Sequence, residues 1–132
     1  MCIRDSTNLI GTDPNVAMLK VAEQRGLYRE LSLTDLADPF PFERGDYDVI
    51  AAIGVISTGA APASTLEAVL NKLNPGGMII FSFNDHALEE PSFPAARADV
   101  LDRGLTVERF REYGPHLTGQ NLKSEIYILE RQ

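Results

Sequence analysis

The chain has 132 residues, 44% of them hydrophobic, which suits one domain with a buried core. Lys and Arg number 12 against 19 Asp and Glu, a net charge of −7, so the clustered cations needed for binding to nucleic acid or an anionic membrane are missing and neither partner is expected. No apolar run approaches the ~20 residues of a membrane-spanning helix, and with one cysteine and no Cys/His cluster neither a disulfide nor a metal site is expected, which makes a cytoplasmic protein the expectation.

Residues 1–6, Met-Cys-Ile-Arg-Asp-Ser, show no periodicity and no cap. They resemble a translated mosaic-end adapter from transposon-based sequencing libraries, and are set apart from a domain expected over residues 7–132. Asn8 to Asp13 reads as a short strand ending in an acid. Pro14-Asn15 starts a helix with Asn15 as N-cap, its apolar face built from Val16, Met18, Leu19, Ala22 and Val21. Gly26 fits the C′ position, where a positive φ is needed. Leu27 to Thr34 is a weaker strand, interrupted by Arg29 and Glu30, and is followed by a loop from Asp35 to Asp46. Tyr47 to Ile53 is near-continuously apolar, the pattern of a parallel strand covered on both faces.

A small-residue loop runs from Gly54 to Ala61, then an amphipathic helix from Pro62 to Leu73 with Leu66, Val69, Leu70 and Leu73 inward. Asn74-Pro75-Gly76-Gly77 is a turn, and Met78 to Phe83 a second buried strand. Asn84 to Pro94 reads as a Pro-punctuated loop and Ala95 to Arg103 as a helix closed by Gly104. Leu105 to Tyr113 and Ser124 to Leu129 are two strands joined by a Gly/Pro/Asn-rich connection, an antiparallel hairpin at one edge. The order β, α, β, β, α, β, α, β, β predicts an α/β fold with a parallel sheet.

Open sheets of this kind bind ligands outside the C-terminal ends of their strands. The sequence places Asp13, Asp35-Leu36, Ile53-Gly54 and Asp85-His86 at such ends. Each has an ordinary structural reading beside a functional one. Asp13 is a helix N-cap or a ligand acid, Met18 core or a ligand contact, and Asp35 a capped turn or a ligand acid. Gly54 lets a backbone approach a ligand closely. Ser57 and Thr58 are substrate contacts or loop hydrogen bonders. His86 is an exposed histidine or, more weakly, a general base. His116 lies in a Gly/Pro loop and has less claim.

Four segments in this order and spacing carry a resemblance: Gly11-Thr12-Asp13 through Met18-Leu19, Asp35-Leu36, Asp46-Tyr47-Asp48-Val49-Ile50, and Leu73-Asn74-Pro75-Gly76-Gly77 before an apolar strand. Together they resemble the later four-fifths of a class I S-adenosylmethionine (SAM)-dependent methyltransferase. Gly26-Leu27-Tyr28, Gly54-Val55-Ile56-Ser57 and Ile126-Tyr127-Ile128-Leu129 are similar to the methyltransferase-like branch of the Williams–Beuren region. The resemblance implies a Rossmann-like, doubly wound, mostly parallel sheet with SAM as cofactor. It implies that Asp13 accepts from the ribose hydroxyls, that Met18 packs beside the adenine, and that Asp35 and the Leu36 N–H read its edge. Ile53 and Gly54 would line the same cofactor.

The resemblance also implies a first strand and a Gly-rich loop before Thr7, which this chain does not carry. The strand would lie centrally, between the family's second and fourth, so the chain is expected to be poorly soluble and to hold cofactor weakly. The methyl acceptor, a small molecule or a protein, has no signature, and methyl transfer needs in-line positioning more than a dedicated base. A nicotinamide-dependent oxidoreductase, which also has an acid after its second strand, and a non-catalytic domain of the same fold are the competing readings.

Overall fold

The computed structural model describes residues 10–13, 16–26, 28, 30–33, 43–58, 60–115 and 123–132. The chain divides into two compact units, Met1–Glu43 and Arg44–Gln132. In the first, strands β1 (Ile10–Asp13) and β2 (Glu30–Leu33) pair in parallel, with helix α1 (Val16–Arg25) between them in sequence. A parallel pair needs such a crossover, because no tight turn can reverse the chain twice. Gly26 follows α1 at φ +62°, as expected of a C′ glycine. The expected apolar face of α1 is only partly covered. Leu19 and Ala22 are half-buried, whereas Met18 is 56% exposed and Val21 is also exposed. Asn15, the expected cap, lies outside the described residues.

The second unit holds a four-stranded sheet in the order β3 (Val49–Ala52), β4 (Met78–Asn84), β6 (Lys123–Arg131), β5 (Thr106–Pro115). β3 and β4 are parallel; β6 runs against both β4 and β5. Among the described strands two pairings are therefore parallel and two antiparallel, so "mostly parallel" holds in part. The closing hairpin is where the sequence puts it.

One face of this sheet is the core. Ile79, Phe81 and Phe83 on β4 lie beside Leu129, Tyr127 and Glu125 on β6. Phe81 stacks on Tyr127 with ring centroids 5.0 Å apart, and Phe83 meets both Tyr127 (5.4 Å) and Phe93 (5.8 Å) edge-on. Helices α2 (Thr65–Leu70) and α4 (Ser92–Asp102) cover this face with Leu66, Val69, Leu70, Phe93 and Val100, all buried. Each side chain of this size stabilises by roughly 1.5–3 kcal/mol when fully buried. The turn Asn74 to Gly77 is closed by a bond from the Gly77 N–H to the Asn74 carbonyl, 2.9 Å, and feeds β4.

Two expectations change. The stretch Asn84 to Pro94 is not a loop: it holds helix α3 (Asp85–Glu89) and the start of α4. Asn84 caps α3 by accepting from the Ala87 N–H at 2.9 Å. Pro94 falls in the first turn of α4, where a missing N–H costs nothing. The Tyr47 to Ile53 strand is shorter, and it is not buried on both faces. Among the described strands β3 has one neighbour, and Val49 (48% exposed) and Ala51 are exposed.

The two edges of this sheet differ in kind. β5 carries a bulge between Glu108 and Phe110 and cross-strand ion pairs, Arg109–Glu130 and Arg111–Glu125. Bulges and charges both oppose pairing with another chain. β3 is Val-Ile-Ala-Ala, uncharged and without a bulge in its pairing with β4. The isolated chain is therefore expected to self-associate through β3. Ala51→Lys should shift light-scattering mass toward one chain while leaving the far-ultraviolet circular dichroism unchanged; equal masses for variant and parent would refute the edge as the cause.

Candidate functional site

Because β3, β4 and β5 all run the same way, their C-terminal ends and the start of β6 share one edge of the sheet. Two groups of residues gather there, and a third lies in the smaller unit. The first is the turn after β3. Ile53 is half-buried and Gly54 is exposed at φ +71°, a conformation that suits glycine. The Gly54 N–H donates to Ser82 Oγ on β4 at 2.9 Å.

The rest of that loop is closed on itself. The Ala61 N–H donates to the Val55 carbonyl (3.0 Å), the Ser57 N–H to the Ala61 carbonyl (3.2 Å) and the Ala60 N–H to the Ser57 carbonyl (3.1 Å). Ile56 and Ala61 are buried, and so is Ser57. Of the two hydroxyl residues considered as substrate contacts, only Thr58 is exposed.

The second group stands on α3. Asp85 Oδ1 accepts from the Tyr113 hydroxyl at 2.7 Å, and Oδ2 accepts from the Lys123 N–H at 3.0 Å. The carboxylate thus ties α3 to the end of β5 and the start of β6. The Tyr113 hydroxyl, then the Lys123 N–H, hold the Asp85 carboxyl below its ordinary pKa. Asp85 in turn raises the pKa of Tyr113. The tie is therefore present above the ordinary carboxyl range and is lost as pH falls through the lowered value. An acid so satisfied is a poor proton acceptor. His86, next in the chain, is exposed on α3; His116 lies outside the described residues.

The third group belongs to the smaller unit and is described by itself. Asp13 is the last residue of β1 and stands in register with Leu33, the last of β2, so it sits at the C-terminal end of a parallel pair. Asp35 and Leu36 come just after that end but lie outside the described residues. Met18 is not core; it is exposed on α1. Among the described residues no group of three His, Cys, Asp or Glu is placed to hold a metal ion. The sequence signals missed at first were the one hydroxyl inside the apolar run of β4, Ser82, and the aromatic hydroxyl at the end of β5, Tyr113.

Residues 2–81 match a protein family described as the methyltransferase domain. Human methyltransferase-like protein 27 (Homo sapiens) is 35% identical over 96 residues, 72% of this chain; the chain spans 38% of that protein's length. A SAM-dependent methyltransferase from Methanosarcina mazei superposes with a TM-score of 0.69 at 12% identity, covering 94% of this chain and 82% of that one. The N-methyltransferase NodS from Bradyrhizobium japonicum WM9, in complex with S-adenosylhomocysteine (SAH), gives 0.67 at 14% identity, covering 94% and 66%. The chain belongs to the class I SAM-dependent methyltransferase family.

The tie at Asp85 makes a direct prediction. Tyr113→Phe removes the largest cause of its lowered pKa, so the Asp85 carboxyl should titrate closer to an ordinary aspartate. Carboxyl-carbon NMR across an acid titration reads this; an unchanged midpoint would contradict the hydrogen bond.

Proposed function

We propose that the protein transfers a methyl group from SAM to a small-molecule or protein acceptor, releasing SAH, and that the residues present here supply the adenosine-facing part of the cofactor site. The observation that carries this reading is the repeated placement of chemistry at strand ends. Asp13 ends one parallel pair, and the left-handed Gly54 turn ends a strand of another. Those are the positions where an open α/β sheet holds a nucleoside.

The residues fit that ligand. A carboxylate has only acceptors, which suits two ribose hydroxyls, so Asp13 is assigned to the ribose. Met18, exposed on α1, is assigned to the adenine ring, with Asp35 and the Leu36 N–H on its edge. Ile53 and Gly54 are assigned to the wall that the cofactor packs on. When bound, SAM supplies a methyl group on a positive sulfur, already activated for displacement. What the chain contributes is orientation: held in line, an acceptor atom needs little further help. No catalytic residue is assigned. His86 is the histidine at the sheet edge, exposed on α3 and within reach of solvent.

We also infer that residues 7–132 form part of a longer methyltransferase domain and that residues 1–6 are not native to it. Three observations support a missing portion. β3 lacks a second strand neighbour among the described strands. Residues 1–9 contain no glycine from which a Gly-rich loop could be built. The chain spans 38% of its human relative. The 132-residue chain is thus assigned weak cofactor binding. A cytoplasmic location belongs to the same proposal; no helix among the described residues is long and apolar enough to cross a membrane.

Titration of the isotope-labelled 132-residue chain with SAH, and separately with NAD, tests this reading. Millimolar SAH should shift the Asp13 and Gly54 amides, NAD should not, and Asp13→Ala should weaken SAH by about tenfold, as expected for losing hydrogen bonds to a charged group. Shifts with NAD alone would overturn the methyltransferase reading. Micromolar SAH affinity by calorimetry would overturn the inference that a portion of the site is missing.

A further inference from the structure

We propose that Ser82 is a positioning residue for the cofactor-facing turn, acting through the Gly54 N–H; the inference rests on the methyltransferase reading above. Ser82 interrupts the apolar run Met78-Ile79-Ile80-Phe81-Ser82-Phe83 and is 1% exposed. A buried hydroxyl is costly unless it is bonded. Here it accepts from the Gly54 N–H at 2.9 Å, across 28 residues of sequence.

The location of this bond gives it a specific effect. The β3–β4 ladder ends at the pair Ala52–Phe81. Ser82 is the next residue on β4 and is held from its other side by pairing with Ile126 on β6. Gly54 lies two residues beyond the last β3 pair. The hydroxyl therefore meets an N–H that has left the ladder, and takes the place of a main-chain carbonyl. Without it, glycine's wide range of backbone angles would leave the turn in many conformations. With it, one is selected: φ +71°, Gly54 exposed and Ile53 half-buried.

The same bond limits what the turn can bind. An anion cradle needs backbone N–H groups pointing at the ligand. The Gly54 N–H is already donated into the sheet, so that donor is not offered to an anion.

The 132-residue chain, with SAH as the probe, is titrated by NMR in four forms besides the parent. Ser82→Ala should weaken SAH about fivefold, the effect of one ordinary hydrogen bond, and should speed amide exchange at Gly54 by a similar factor. Ser82→Thr, which keeps the hydroxyl, should restore both. Ser82→Cys, a weaker acceptor of similar size, should fall between and carries the measurement if the alanine variant does not fold. Ser124→Ala is the matched control: Ser124 is also buried, on the neighbouring strand β6, and its Oγ has no hydrogen-bond partner among the described residues. It should leave both readings at parent values.

Faster Gly54 exchange with unchanged SAH affinity would overturn the positioning role and leave a structural one. Equal weakening in Ser82→Ala and Ser124→Ala would overturn it too, as a general packing effect. Absence of any SAH-dependent shift in the parent would instead overturn the methyltransferase reading, and this inference with it.

Discussion

The register of β4 is the constraint on which the larger unit depends. β4 is hydrogen-bonded on both sides, to β3 and to β6, and Ile79, Phe81 and Phe83 are all fully buried on one face. A slip of one residue would turn these three outward and bring Met78, Ile80 and Ser82 into the core. The large apolar side chains outweigh the polar contacts in fixing this. Each contributes roughly 1.5–3 kcal/mol, against about 1 kcal/mol for a typical hydrogen bond. The apolar face sets the register, and the polar contacts at the sheet edge then fall where the register puts them. Ser82 arrives at Gly54, Asn84 at the start of α3, and Asp85 beside Tyr113 and Lys123.

The charges on β5 and β6 answer a different need. Exposed ion pairs such as Arg109–Glu130 are worth ~0–1 kcal/mol each, too little to hold the hairpin. Their value lies in keeping another strand away from an edge that has no neighbour among the described strands. β3 has neither charge nor bulge. Among the described strands, the sheet therefore guards one edge with charge and leaves the other apolar, an asymmetry independent of any family resemblance.

Most of the element order was legible because it is written in local patterns. Apolar runs marked β3, β4 and β6, Asn-Pro-Gly-Gly marked the turn before β4, and Gly26 marked the end of α1. Two readings failed for physical reasons. Pro91 and Pro94 looked like loop punctuation, but proline is tolerated where a helix begins. The apolarity of Tyr47 to Ile53 reads as burial on both faces, yet apolarity records what a strand is suited to touch, and among the described residues β3 has one strand neighbour and exposes Val49 and Ala51. The candidate site divides in the same way. Asp13 at the end of β1 and Gly54 after β3 were legible as strand-end residues. The partners of Gly54 and Asp85 were not, since Ser82 and Tyr113 each lie 28 residues away in sequence and meet them only through the register of the sheet.

Register also decides which polar residues remain available for chemistry. At the sheet edge, Asp85 stands beside His86 in sequence, and Ser57 beside Thr58. The fold commits one of each pair. Both oxygens of Asp85 accept hydrogen bonds, and its carboxyl is held in the ionised form; Ser57 is buried in a loop whose backbone bonds are internal. His86 and Thr58 face solvent. Among the described residues, the Asp85 carboxylate is spent on anchoring α3 to the hairpin and the Ser82 hydroxyl on the shape of the Gly54 turn, so both serve position, and position is what methyl transfer from a positive sulfur chiefly requires.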